Sequence, residues 1–371
     1  MCHNESMQIT CVLEKLRVAV SKTEKITTKK ASLPVLECLL LEVVNNTLVV
    51  RATNLDIGIE ITVPVKVKKP GRVAVPAAIF SQFLSNLPAD GSVDLKYNKK
   101  TLTISGETFK TEIKTQDDSE FPSIPSVESG SETEISTKQI TKGFRSVWYA
   151  ASPSSMKPEL SSVYMYSDNE GSLYFVATDS FRLAERVIPD ANTGDISILI
   201  PHRNVAEIIR ILADMDTSAT ITVGDNQMTI ITDDIYISSR LVDGNFPDYK
   251  KIIPNSSQVT VTIPTQDFSN TLRISDIFSD KFNQLTISTN PQENKLSLTT
   301  SNADIGENTT NIPVEINGEE ITINFNHRYI TDSFQSITTD KLSLNLSANA
   351  PMVIRPAGDD TFQYLVMPMS N

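Results

Sequence analysis

Short runs rich in apolar residues, such as Leu48-Val49-Val50-Arg51-Ala52-Thr53, recur along most of the chain, with turn signals at Gly106-Glu107, Asp233-Asp234 and Asp359-Asp360. Such runs read as strands, and strands that pair locally favour antiparallel sheets. A second period interrupts them. Val205, Ile208, Ile209 and Leu212 are spaced by three, four and seven, which places them on one face of a helix. Ile79, Phe83, Leu84 and Leu87 form a matching set, as do Tyr329, Ile330, Phe334 and Ile337. Pro76 and Pro201 suit the cap or first turn of the first two of these helices.

These sets belong to a threefold internal repeat. Residues 48–87, 173–212 and 296–337 share one layout, and their landmarks Ala52-Thr53-Asn54, Ala177-Thr178-Asp179 and Thr300-Ser301-Asn302 lie 125 and then 123 residues apart. An earlier helix repeats as well: Val12, Ile140 and Phe268 are separated by 128 residues each time, as are Leu16, Phe144 and Leu272, followed at once by Arg17, Arg145 and Arg273. The copies close at Phe121-Pro122, Phe246-Pro247 and Met367-Pro368, with linkers at 122–134 and 254–258. The expected fold class is therefore α+β: three similar domains, 1–128, 129–254 and 255–371, each with two helices packed on antiparallel sheets. The acidic pairs between strand runs read as hairpin tips rather than metal ligands.

Composition narrows the picture. A length of 371 residues suits two or three domains, and an apolar share of 39% suits several modest cores. No stretch reaches the roughly 18 to 20 apolar residues of a membrane span, and Met1-Cys2-His3-Asn4-Glu5-Ser6-Met7 lacks the basic flank and apolar core of a secretory signal. Cys2, Cys11 and Cys38 form no CxxC pair and cannot all pair within one chain, which fits a reducing cytoplasm.

The formal charge of -12, from 33 basic and 45 acidic residues, argues against nucleic acid only if the charges are evenly spread. They are not. Lys138, Lys142 and Arg145 recur at i, i+4 and i+7 on a face other than that of Ile140, Phe144 and Val147, and Arg203 and Arg210 are seven apart. The third copy offers Arg273 and Lys281, and the first Lys15, Arg17, Lys22, Lys29 and Lys30. For any one of these, a solvated helix face is the plainer reading. Helices turned toward a common axis would instead line it with positive charge inside an acidic shell, giving sequence-blind, salt-sensitive contacts to DNA phosphates.

At this level of detail the chain resembles the bacterial DNA sliding clamp, the β subunit of DNA polymerase III holoenzyme, from Met7 to the end. The resemblance rests on Ala31-Ser32-Leu33-Pro34-Val35-Leu36, Val75-Pro76-Ala77, Ala177-Thr178-Asp179-Ser180-Phe181-Arg182-Leu183-Ala184, Asp243-Gly244-Asn245-Phe246-Pro247-Asp248-Tyr249 and Tyr364-Leu365-Val366-Met367-Pro368-Met369, in this order and on the threefold repeat. It implies a head-to-tail homodimer forming a six-domain ring, loaded on DNA by an ATP-driven clamp loader. DNA polymerase III and other clients would bind through short peptides with Gln, Leu and Phe-type anchors. The matching pocket positions are Leu160, Thr178, Arg182, Leu183, Pro247, Lys251, Ile252, Leu365, Met367, Pro368 and Met369. The seam is expected at Phe109, Ile277 and Phe278, and DNA contacts at Arg17, Lys30, Lys138, Lys142, Arg145, Arg203, Arg210 and Arg273. This chain departs from the usual pattern in four places: Ser180-Phe181 for Gly-His, Lys251 for Arg, a Ser370-Asn371 ending, and Met1 to Ser6 ahead of the usual start. Client preference is where these departures are expected to show.

Rival classes fare worse. Only His3, His202 and His327 are present, without HExxH, a Cys/His cluster, a GxSxG elbow or a Gly-rich phosphate loop, so neither catalysis nor a cofactor or metal is expected. Asp179 and Arg182 read as a salt bridge or turn contact. A β-rich scaffold that ignores DNA would suit the acidic balance but leaves the repeated helix arginines unexplained.

Overall fold

The computed structural model describes residues 6–28, 33–88, 90–127 and 129–369. Lys29, Lys30, Ala31, Ser32, Cys2 and the Ser370-Asn371 ending thus lie outside the described residues, as do the first five residues of the N-terminal extension. The chain forms two compact units, residues 1–138 with 206–241, and residues 139–205 with 242–371.

In the first unit, a twelve-stranded antiparallel sheet is organised around the long strand Ile57–Lys69. One half of that strand pairs with Ser6–Val12 (Cys11 opposite Val65), and the other half with Ile235–Arg240 (Ile57 opposite Ser239). In the second unit, a nine-stranded sheet is continued in the same way: Arg182–Ile188 pairs with Phe362–Val366, Leu183 standing opposite Leu365. A four-stranded sheet completes that unit. The compact units therefore cut across the sequence repeat. Strands of one copy close the sheet of the previous copy, so edges that would otherwise be open are hydrogen-bonded.

Six α-helices are present among the described residues: α1 (Leu13–Glu24), α2 (Ala77–Ser85), α3 (Thr137–Val147), α4 (His202–Leu212), α5 (Thr265–Ile277) and α6 (His327–Asp332). None is long and apolar enough to cross a membrane. The starts of α1, α3 and α5 are 124 and then 128 residues apart, so the expected interval of 128 throughout is corrected in the first copy. Leu16, Ile140 and Phe268 occupy one turn and Val20, Phe144 and Leu272 the next, all six buried. Val12, expected on this face, ends the preceding strand and is exposed. The slip has a simple cause: residues i and i+4 share a helical face, so a repeat matched by residue type can move one turn without breaking the apolar stripe.

Arg17 consequently sits one turn earlier than Arg145 and Arg273, and it does something else. Its Nε donates to the Leu84 carbonyl (3.0 Å) and its Nη2 to those of Leu87 (2.7 Å) and Pro88 (3.1 Å), while Nη1 pairs with Glu14. These are carbonyls at and just beyond the C-terminal end of α2, which a helix cannot satisfy internally. Lys22 acts similarly on α4, donating to the Ile211 carbonyl at 2.6 Å. Burial lowers the pKa of its amino group, with Asp234 and Asp214 acting in the opposite direction.

The face of α2 is also corrected. Ala77, Phe80 and Leu84 are buried and Ile79 is exposed. Ser81, Gln82 and Ser85 mark one polar side of this helix, but the apolar side is wide, and packing buries Ala77, Phe80 and Leu84 rather than Ile79. The last expected helix is short: α6 gives way to a 3-10 turn over Ser333–Ser336, with Ile330 and Ile337 buried and Tyr329 and Phe334 half-buried. The face of α4 agrees with expectation, Val205, Ile208, Ile209 and Leu212 all being buried. In α3, a Cβ at Gly143 would lie 2.4 Å from the Phe175 ring, so glycine lets the helix rest directly on the sheet.

Candidate functional site

The three repeat landmarks are turns at strand ends. The Asn54 Oδ1 accepts from the backbone N–H groups of Asp56 and Ile57 (both 3.0 Å), and the Asp179 Oδ1 accepts from those of Phe181 (2.9 Å) and Arg182 (3.0 Å). The Asn302 Oδ1 accepts from Asp304 (3.0 Å). In the first two turns the next residue is forced into the left-handed region, with φ 77° at Leu55 and 79° at Ser180. Short Asx side chains hold such turns by replacing a backbone hydrogen bond.

The second of these turns anchors the candidate pocket, whose expected residues all lie in the second compact unit. Thr178 Oγ1 donates to the Arg182 carbonyl (2.6 Å), and the Phe181 carbonyl accepts from Met367 N–H (2.8 Å). Met369 N–H is held by the Asn324 carbonyl (2.8 Å). The C-terminal segment is thereby laid beside the turn. Leu160, Thr178, Leu183 and Leu365 are buried. Leu183 and Leu365 belong to a buried cluster with Val176, Tyr249 and Val353 rather than to an open wall. Pro247, Lys251, Ile252 and Met367 are exposed, and Pro368 and Met369 half-buried. Lys251 pairs locally with Asp248 at 2.7 Å, which raises its pKa through the hydrogen bond and the charge.

Arg182 is a fixed strut. It pairs with Asp179 (3.0 Å) and with Asp332, donates to the Tyr149 carbonyl (2.8 Å), and stacks over the Tyr329 ring at 4.9 Å. The Asp179–Arg182 salt bridge read from the sequence is present. Further along the same strand, Arg186 is buried and donates to Asp359 (2.8 Å), Thr361 (2.7 Å), Ser146 (3.2 Å) and the Ser336 carbonyl (3.4 Å). Burial would raise the Asp359 pKa, but hydrogen bonds from Thr361 and Arg186 outweigh it and hold the value down at about 2. Phe181 and Tyr329, absent from the expected pocket, lie against each other at 6.2 Å and 16°. Phe181 had only its departure from pattern to signal it, and Tyr329 looked like a helix-face residue.

The first unit supplies an internal comparison. There Arg240 N–H donates to the Asp56 carbonyl (2.9 Å), as Met367 does to Phe181. On that equivalent backbone, Leu55-Asp56-Ile57 replaces Ser180-Phe181-Arg182, and Arg240 replaces Met367. The scaffold repeats while the surface it presents does not.

Of the expected DNA contacts, Lys142, Arg145, Arg203 and Arg273 are exposed and form no ion pair among the described residues. Lys138 pairs with Asp216 (2.7 Å) and Arg210 with Glu207 (2.9 Å), both at exposed positions. Arg17 is occupied by the end of α2, and Lys30 lies outside the described residues. At the expected seam, Phe109 is half-buried and meets Phe83 edge-on at 5.9 Å, Ile277 is exposed and Phe278 half-buried. Near α5, the exposed apolar residues Ile274, Phe282 and Ile305 were not singled out from sequence. They sit outside its repeat landmarks.

Comparison with known proteins covers nearly the whole chain. The family model described as the N-terminal domain of the DNA polymerase III beta subunit matches residues 7–125, that of the central domain 134–248, and that of the C-terminal domain 250–370. Among curated relatives, the chain is 28% identical over 374 residues to the beta sliding clamp of Synechococcus elongatus, covering 98% of this chain and 99% of that protein. It is 26% identical over 365 residues to that of Streptococcus pneumoniae serotype 4, covering 95% and 96%. Among solved structures, the DNA polymerase III beta subunit of Thermotoga maritima superposes with a TM-score of 0.91 at 25% identity, covering 98% of this chain and 100% of that one. The sliding clamp of Pseudomonas aeruginosa bound to griselimycin shares the fold, with a TM-score of 0.92 at 24% identity over 99% and 100%.

Proposed function

The chain belongs to the DNA polymerase III β subunit family, the bacterial sliding clamps, and from that premise we propose that two copies close head to tail into a six-domain ring around duplex DNA. The protein is a DNA sliding clamp, a processivity factor without catalytic activity of its own. The observation that carries this reading is the unbroken succession of three family matches along the threefold repeat. The proposed domains are 1–128, 129–254 and 255–371, a sheet of each of the first two being continued by a strand of the repeat that follows.

A clamp works by linkage, so single phosphate contacts can be weak while the ring stays on its track. Lys142, Arg145, Arg203 and Arg273 are the proposed principal contacts, because their charges are exposed and uncommitted, with Lys138 and Arg210 contributing less. Replacing Arg145, Arg203 and Arg273 with alanine is expected to lower the salt dependence of DNA binding by roughly 0.9 in logarithmic slope for each phosphate no longer neutralised. Retention on nicked circular DNA across a salt series measures this. An unchanged slope would remove these residues from the interface.

The seam is proposed to unite Phe109 of one copy with the apolar end of α5 in the other, Ile277, Phe278 and their exposed neighbours. A heterologous contact closes after two copies if each subunit is a half-ring. Light scattering over a wide concentration range is expected to give a species near twice the chain mass of 40.9 kDa. Ile277→Asp should shift it to monomer. A wild-type monomer at every concentration would overturn the two-copy ring.

Polymerase III, the clamp loader and other clients are proposed to insert extended peptides between the turn at Asp179 and the segment Met367 to Met369. Methionine suits a slot that accepts different anchors. Tethering there raises the effective concentration of a polymerase at the primer end without new contacts at that end.

A further inference from the structure

Among the described aromatic residues, only Phe181 and Phe282 are exposed. Phe282 lies near the proposed seam, which gives its exposure a use; Phe181 needs another account. Its ring lies nearly parallel to Tyr329, whose ring also carries the Arg182 guanidinium 4.9 Å from its centroid. Several polar groups beneath it are committed to one another: the Phe181 carbonyl to Met367 N–H, the Arg182 donors to Asp179, Asp332 and Tyr149, and the Tyr329 carbonyl to the Tyr364 hydroxyl. The Phe181 ring and the Met367 side chain, both exposed, offer ring carbon and a thioether to an incoming group.

We infer that Phe181 is a specificity-determining residue of this clamp, forming with Tyr329 an aromatic shelf that selects a planar aromatic side chain, over an amide, at the client-peptide position laid against it. This rests on the peptide-binding reading above. An amide placed on the shelf gives up its water and finds Phe181 without donor or acceptor, a desolvation that costs affinity. A ring gains both area and stacking. Backbone strain carries none of this inference, because Leu55 adopts the same left-handed conformation in the first unit, where Asp56 stands in place of the phenylalanine.

The test uses the full-length protein and three synthetic extended peptides that share a Leu and Phe anchor pair and carry Trp, Gln or Ala at the preceding position. Fluorescence polarisation titrations are made with wild type, Phe181→Ala and Phe181→His. The wild type is expected to prefer Trp over Ala by about five- to tenfold, and Gln over Ala by less than about twofold. Phe181→Ala should level the three peptides, the Trp peptide losing its advantage over the Ala peptide. Phe181→His, which restores a hydrogen-bonding ring, should raise the Gln peptide relative to Ala. Equal ranking in wild type and Phe181→Ala would overturn the inference and leave the peptide site standing. Failure of all three peptides to bind the wild type would overturn the site itself.

Discussion

Replacing Arg186 with alanine is expected to destabilise the second compact unit by about 3 to 5 kcal/mol, because removing a buried guanidinium leaves its partners without donors. Asp359, Thr361, Ser146 and the Ser336 carbonyl all receive hydrogen bonds from it, and its guanidinium lies 4.7 Å from the centroid of the Phe362 ring. For a unit of this size the loss corresponds to roughly 6 to 20 °C in Tm. The effect should depend on pH. The Asp359 carboxyl has a pKa of about 2 in the folded chain against an ordinary 3.8, so its ionised form stabilises the fold above about pH 4, and that contribution fades as pH falls toward 2. Its share is on the order of 1 kcal/mol once solvent screening is allowed for. Melting curves of wild type and Arg186→Ala should therefore draw together below about pH 4. A variant melting within about 1 °C of wild type at neutral pH would mean the network is dispensable.

Removing residues 367–371 should abolish client-peptide binding while leaving the ring. The deletion takes away the Met367, Pro368 and Met369 surface and the two backbone bonds that lay it beside the turn, Met367 N–H to Phe181 and Met369 N–H to Asn324. Each buried Leu or Phe anchor contributes roughly 1.5 to 3 kcal/mol, so losing the seat of both weakens binding by more than about 100-fold. The strand Phe362–Val366 keeps its pairing with Arg182–Ile188, and the proposed seam residues lie elsewhere, so dimer mass should be retained. Peptide titration and light scattering on the same preparation separate the two effects. Peptide affinity within about tenfold of wild type would remove the C-terminal segment from the pocket.

Much of the fold and part of the site could be read from the chain. Strand runs, turn tips and helices α3, α4 and α5 stand out because each has a clear period and a polar side that tells the apolar side which way to face. Asn54, Asp179 and Asn302 are legible as repeat landmarks at strand ends, and the structure makes each a turn completed by its own short side chain, a local interaction that needs no distant partner. The triple repeat, the family resemblance and the function it brings are likewise properties of residue order.

What only the tertiary structure decided depends on groups far apart in sequence. The one-turn slip of α1 is invisible to a pattern that both registers satisfy, and which part of the wide apolar side of α2 is buried is chosen by what packs against it. Arg17 resembles Arg145 and Arg273 in sequence, yet carbonyls about seventy residues away turn it into a cap, while Arg145 and Arg273 remain exposed. Leu183 and Leu365 look like pocket walls until packing buries them with Val176, Tyr249 and Val353, and Phe181 joins the site because its ring lies against that of Tyr329. In each case residue type sets the range of contacts a side chain can make, and long-range packing selects among them.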